Sequence, residues 1–209
     1  MATLADMKAR IALELRRDDL TAQISNAIST AINEYRDERF DFAERRDVLF
    51  NTVVDQDVYT AADIPKLADL LKFDYVTVKV GACQRKVPFY RPIDGADTGY
   101  DDYRGEPVGF LWYAKTFRLV PKPSDIWQIR IAGLFQVAPP AADNEAGNPW
   151  MNEAEALIRS RAKFELALHV LRDRTLADDM MAAANAALSV MRIATNRRTA
   201  TGAIRPMEL

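Results

Sequence analysis

Apolar residues recur every three or four positions at both ends of this chain and every second position across its middle. That contrast predicts helices flanking a β region, because a helix presents one face every 3.6 residues and a strand every two. Leu4, Met7, Ile11 and Leu15 form one stripe. They predict a helix from Thr3 to about Arg17, opened by Thr3 and Asp6 at capping-box spacing. After a break at "RDDLT", Ile24, Ile28 and Ile32, widened by Ala27, Ala31 and Tyr35, predict a second helix from Thr21 to Arg39. From Val48 the period falls to two. "VLFNTVV" and "DVYTAA" read as a hairpin turned at "VDQD".

"DIPKLADLLKF" reads as a proline-initiated helical turn or two, and "YVTVKVG" as a strand with Val76, Val78 and Val80 on one face. The prolines of "KVPFYRPI" confine that piece to a sheet edge. Val108, Phe110 and Trp112, then "FRLVPKP", then Trp127, Ile129 and Ile131 predict a three-stranded antiparallel meander. Its aromatic residues, Phe117 included, read as packing rather than as a ligand box. Asn152, with Glu155 at N3, predicts the cap of a third helix reaching about Arg172. Ala154, Leu157, Ile158, Phe164, Leu168 and Leu171 carry its stripe, which Arg161 and Glu165 interrupt at pairing distance. Thr175 and Asp178 open a fourth, whose stripe of Leu176, Met180, Met181, Ala184, Ala187, Leu188 and Met191 packs in the core or on another subunit.

The expected architecture is therefore α+β: a four-helix bundle with an inserted antiparallel β-sheet and an extended C-terminal arm. Residues 1–47 and 148–191 make the helical bundle domain, 48–147 the β-rich insertion and 192–209 the arm. The arm holds Arg192, Arg197, Arg198 and Arg205 against Glu208, and its Thr, Gly and Pro content disfavours regular helix.

Composition narrows the chemistry. Across 209 residues the net charge is −2, so no global positive field exists to grip nucleic acid. The single cysteine, Cys83, forms no internal disulfide and points to a reducing compartment, a cytoplasm. No apolar run is long enough for a signal peptide or a membrane span. "DGADTGYDDYRGE" (Asp94–Glu106) holds five acids and reads as an exposed loop. It lacks the ligand spacing of a calcium loop. His169, the one histidine, has no second histidine or cysteine pair for zinc and reads as partly buried or interfacial. The nine charges of "YRDERFDFAERRD" read as a solvated helix end. Phosphate loops, nucleophile elbows, HExxH and CxxC are all missing from the sequence, which predicts no enzyme and no cofactor.

The order of elements is more specific than any one of them. Two amphipathic helices lead into "GEPVGFLWY", "FRLVPKPSD" and "WQIRIAGLFQVAPP", followed by "NPWMNEAEALI", two long helices and a tail. This order resembles the head-to-tail adaptor proteins of tailed bacteriophages, which sit in the virion neck, and the related tail accessory proteins of short-tailed phages. The resemblance implies a structural role, with copies side by side in a ring, typically of twelve, under the portal protein. DNA then passes through the ring without specific binding. It further implies that Arg192, Arg197, Arg198, Ile204, Arg205, Pro206 and Leu209 form a portal-binding arm. Asp94, Asp97, Tyr100, Asp101, Asp102 and Tyr103 would face the next neck or tail protein, a nozzle, stopper or equivalent. Two other readings compete. One is a peptidoglycan-cleaving accessory protein using Glu38, Asp41 and Glu44. The other is a helix-turn-helix regulator over Thr3–Arg39, which lacks a basic first turn in its second helix.

Overall fold

The computed structural model describes residues 2–90 and 103–199. The chain divides into two compact units, Met1–Phe42 with Val137–Leu209, and Ala43–Gln136.

The first unit is helical. Helix α1 spans Leu4–Leu15 and is capped as its sequence predicts. Thr3 Oγ1 accepts from the Asp6 amide (3.1 Å), while Asp6 Oδ2 accepts from the Thr3 amide (2.9 Å). Arg16, in the left-handed conformation, ends it. Helix α2 spans Thr21–Tyr35, and its isoleucine stripe is buried. A short helix α3, Pro149–Asn152, precedes α4, Glu155–Leu166, which continues as a π-helical turn over Ala167–Leu171. The cap lies at Asn148 rather than Asn152: its side chain accepts from the Trp150 amide (3.1 Å), and Pro149 takes the first helical position, where no amide is missed. Helix α5 spans Arg174–Thr199, and Asp173 accepts from the Leu176 amide at its start.

The expected four-helix bundle does not form. The chain is α+β with five α-helices among the described residues. Helix α4 is the hub, packing on α1, α2 and α5, whereas α5 leans chiefly on α4 and the turn after it. In a bundle every helix would give a similar stripe to one central axis. Here α5 is much less deeply buried, with Ala177, Ala184 and Thr195 alone fully buried among its described side chains. The C-terminal arm is also helical as far as Thr199, because the helix breakers Gly202 and Pro206 stand further on.

The unit's core joins Met7, Ile11, Ile28, Ile32, Leu157, Ile158 and Leu166. Phe40, read as part of a solvated helix end, is fully buried against Trp150, whose indole nitrogen donates to the Val137 carbonyl (3.0 Å). Arg161 and Glu165 pair as their spacing predicts (2.8 Å).

The second unit is built of strands: β1 (Glu44–Asn51), β2 (Val58–Tyr59), β3 (Leu70–Val80), β4 (Cys83–Val87), β5 (Arg104–Gly105), β6 (Gly109–Tyr113), β7 (Thr116–Val120), β8 (Lys122–Pro123) and β9 (Gln128–Phe135). One sheet has the order β1-β9-β3-β4, a second β2-β7-β6, and β5 pairs with β8. Val48, Val76, Val78, Ile129 and Ile131 from the first sheet share a core with Tyr59, Phe110, Phe117 and Leu119 from the second. The valine alternation in β3 is as expected, and β4 is an edge strand.

Two pairings differ from expectation. The segments around Val48 and Val58 do not form a hairpin, since β1 pairs with β9 and β2 with β7. Buried Thr52 fastens the end of β1 to the start of β9, accepting from the Trp127 amide (2.7 Å) and donating to the Asp125 carbonyl (3.0 Å). The three-stranded meander is also split: β6 and β7 form the hairpin, and β9 crosses to the centre of the other sheet. Alternation sets which face of a strand is buried and leaves its partner open.

Candidate interaction surfaces

The C-terminal half of α5 gathers the charge that the sequence places in an arm. Arg192 donates to Glu38 (2.6 Å), just beyond α2. Arg198 reaches Asp41 and Glu153. Between them Thr195 Oγ1 accepts from the Asp41 amide (3.2 Å). Of the four arginines assigned to the arm, Arg192 and Arg198 thus pair within their own helical unit, while Arg197 is exposed on the other side of the helix. Ile204, Arg205, Pro206 and Leu209 lie outside the described residues, as do Asp94, Asp97, Tyr100, Asp101 and Asp102. Tyr103, the remaining residue of the set assigned to face the tail, is 65% exposed.

The same contacts bear on catalysis. Glu38 and Asp41, two of the three carboxylates considered for peptidoglycan cleavage, serve Arg192 and Arg198. The third, Glu44, is close to buried and pairs with Arg46. Of the two positions expected for His169, partly buried or interfacial, the first is excluded: it is exposed and stands 3.4 Å from Glu165. Cys83 is an exposed free thiol. Among the described residues, no group of three or more His, Cys, Asp or Glu could hold a metal ion. No described helix is long and apolar enough to cross a membrane.

Ion pairs knit the helical unit elsewhere. Glu14 of α1 faces Arg159 and Lys163 of α4. Burial opposes ionisation of Glu14, but the Lys163 ammonium and the Arg159 guanidinium outweigh it and hold the carboxyl below its ordinary value. Arg161 ties α2 to α4 through Glu34 (2.6 Å) and lies 4.5 Å above the Phe164 ring.

The sheet unit carries an open apolar cleft of about 550 Å³ where the start of β3, the end of β4 and β6 meet. Leu71, Phe73, Phe89, Phe110 and Trp112 line it, with Lys72 and Lys86 also on its wall. Phe110 and Trp112 pack as their strand spacing predicts, Phe110 at 2% exposed and Trp112 against Phe73. The register shift between Phe73 and Tyr75, which opens the strand, has no signature in the apolar pattern.

The chain is thus an α+β protein with ion-paired helix ends in its helical unit and an aromatic cleft in its sheet unit. The chain belongs to the SU10 adaptor protein family, whose model matches residues 2–207. The resemblance to tailed-phage head-to-tail adaptors is thereby borne out, and the chain is a phage adaptor with a structural role. No curated protein sequence matches it.

Proposed function

We propose that this chain occupies the neck of a tailed-phage virion as a ring of identical copies, typically twelve, beneath the portal protein. The ring joins the portal to the next neck or tail component and surrounds exiting DNA without binding it specifically. One observation carries the reading: the family match runs over residues 2–207 and so includes both units and the C-terminal segment. Residues 192–209 act as the portal-binding arm, with the acidic loop Asp94–Glu106 turned towards the tail. The net charge of −2 suits a conduit that must release DNA rather than hold it. Because Arg192 and Arg198 have partners within the helical unit, portal contact in this reading falls to Arg197 and to residues 200–209.

A chain ending at Thr199 tests this, since it keeps α5 whole. It retains the helical circular dichroism and thermal midpoint of the full chain and loses co-sedimentation with portal rings. Undiminished co-sedimentation by the shortened chain would reject the arm assignment.

A further inference from the structure

Helix α5 has two different apolar faces. The inner one, with Ala184, Leu188 and Met191, joins the core of the helical unit, where α5 packs chiefly on α4. The outer one reads Asp179, Ala183, Ala186, Val190, Ile193 and Arg197, separated by four, three, four, three and four residues. All six are exposed, Val190 by 66% and Ile193 by 52%. A seam alternating steps of three and four is the pattern by which one helix packs along another. Neither Asp179 nor Arg197 has an ion-pair partner among the described residues, although Arg192 and Arg198 on the same helix do.

We infer that this face pairs with the same face of a second copy of the chain, the two α5 helices running antiparallel about a two-fold axis. The seam is complementary to its own reverse at every rung. Asp179 falls opposite Arg197, Ala183 opposite Ile193 and Ala186 opposite Val190, all about one midpoint level with Leu188. Each branched side chain thus meets an alanine, which lets the helix axes approach to about 8 Å. The symmetry repeats the Asp179–Arg197 attraction at both ends. A parallel pairing would set Asp179 on Asp179 and Arg197 on Arg197, so like charges would oppose it. A two-fold contact of this kind uses one patch on both copies and closes on itself. It differs from the side-by-side contact of a ring and belongs to the free chain before assembly. While it lasts, it withholds Arg197 from any other partner.

Sedimentation velocity of the full-length chain at about 50 μM is the first test, with a species of two chains expected. Val190→Asp weakens association at least about tenfold, as a charge buried in a helix seam should. Asp179→Arg weakens it less, and the double change Asp179→Arg with Arg197→Asp restores it. Disulfide trapping reads the direction. In a Cys83→Ser background, Ala186→Cys mixed with Val190→Cys cross-links, and neither does so alone. A monomeric wild type at that concentration overturns the inference, as does cross-linking of Ala186→Cys by itself or failure of the double charge reversal to restore the dimer. Circular dichroism confirms that each variant keeps its helices.

Discussion

The helical unit and the sheet unit hold together by different means. In the helical unit, isoleucine and leucine stripes meet across helices, and charged side chains clamp the joints: Glu14 to Arg159 and Lys163, Arg161 to Glu34, Arg192 to Glu38. In the sheet unit, the ladders of β1, β9, β3 and β4 enclose clustered rings. Phe73 sits 5.0 Å from Phe110 and 5.8 Å from Phe117, and Phe50 lies 5.1 Å from Tyr59. It also holds an ion pair, Arg118 with Asp57 at 2.8 Å, with both side chains largely buried. The first unit should therefore feel pH and salt at its surface joints, and the second should feel lost volume.

The largest expected effect lies in the sheet unit. Phe117 is fully buried and packs on Phe50, Phe73 and Phe110. Phe117→Ala should lower stability by about 3–5 kcal/mol, the cost of a vacated aromatic site. Loss of the near-ultraviolet aromatic signal at a lower denaturant midpoint, with helical ellipticity retained, measures it; an unchanged midpoint would break the contrast. A smaller effect belongs to the helical unit. Thr3→Ala removes the acceptor of the Asp6 amide and should cost about 1 kcal/mol. A helical melting curve that does not move would place the restraint of α1 elsewhere.

The smallest effect is on pH. Because the Glu14 carboxyl titrates below its ordinary value in the folded chain, its pairing stabilises the fold above the unfolded value and is lost as pH falls through the folded one. Glu14→Gln should thus cost less than about 1 kcal/mol at neutral pH, since the pair is partly exposed. The difference from wild type should vanish between about pH 5 and 3. A difference that persists at pH 3 would assign the effect to packing instead.

Part of this structure can be read directly along the chain. The Thr3–Asp6 cap, the isoleucine stripe of α2, the proline-opened turn at Pro65 and the valine face of β3 all depend on residues within a few positions of one another. The cap of α3 was within reach too, since "NP" ahead of Trp150 marks Asn148 rather than Asn152. The interaction surfaces were less legible. The arginines of residues 192–199 stand out in the sequence, yet their partners Glu38, Asp41 and Glu153 are 45 to 157 residues away. The outer seam of α5 was open to view as spacing, but Ala183 and Ala186 pass for ordinary helix formers until the inner face is seen to be occupied.

By itself, then, the sequence determined the kinds of element, most of their ends, the buried face of each and the order that marks the family. Tertiary structure alone decided that α4 is the hub rather than one rod of four, that β1 and β3 flank β9, and that two of the arm's arginines are anchored at home. The reason is physical. Caps, turns and amphipathic faces are short-range balances of hydrogen bonding and burial. Partner choice is a long-range competition in which several strands or helices offer nearly the same apolar stripe, and small differences in fit, such as the hold of Thr52 on β9, select among them.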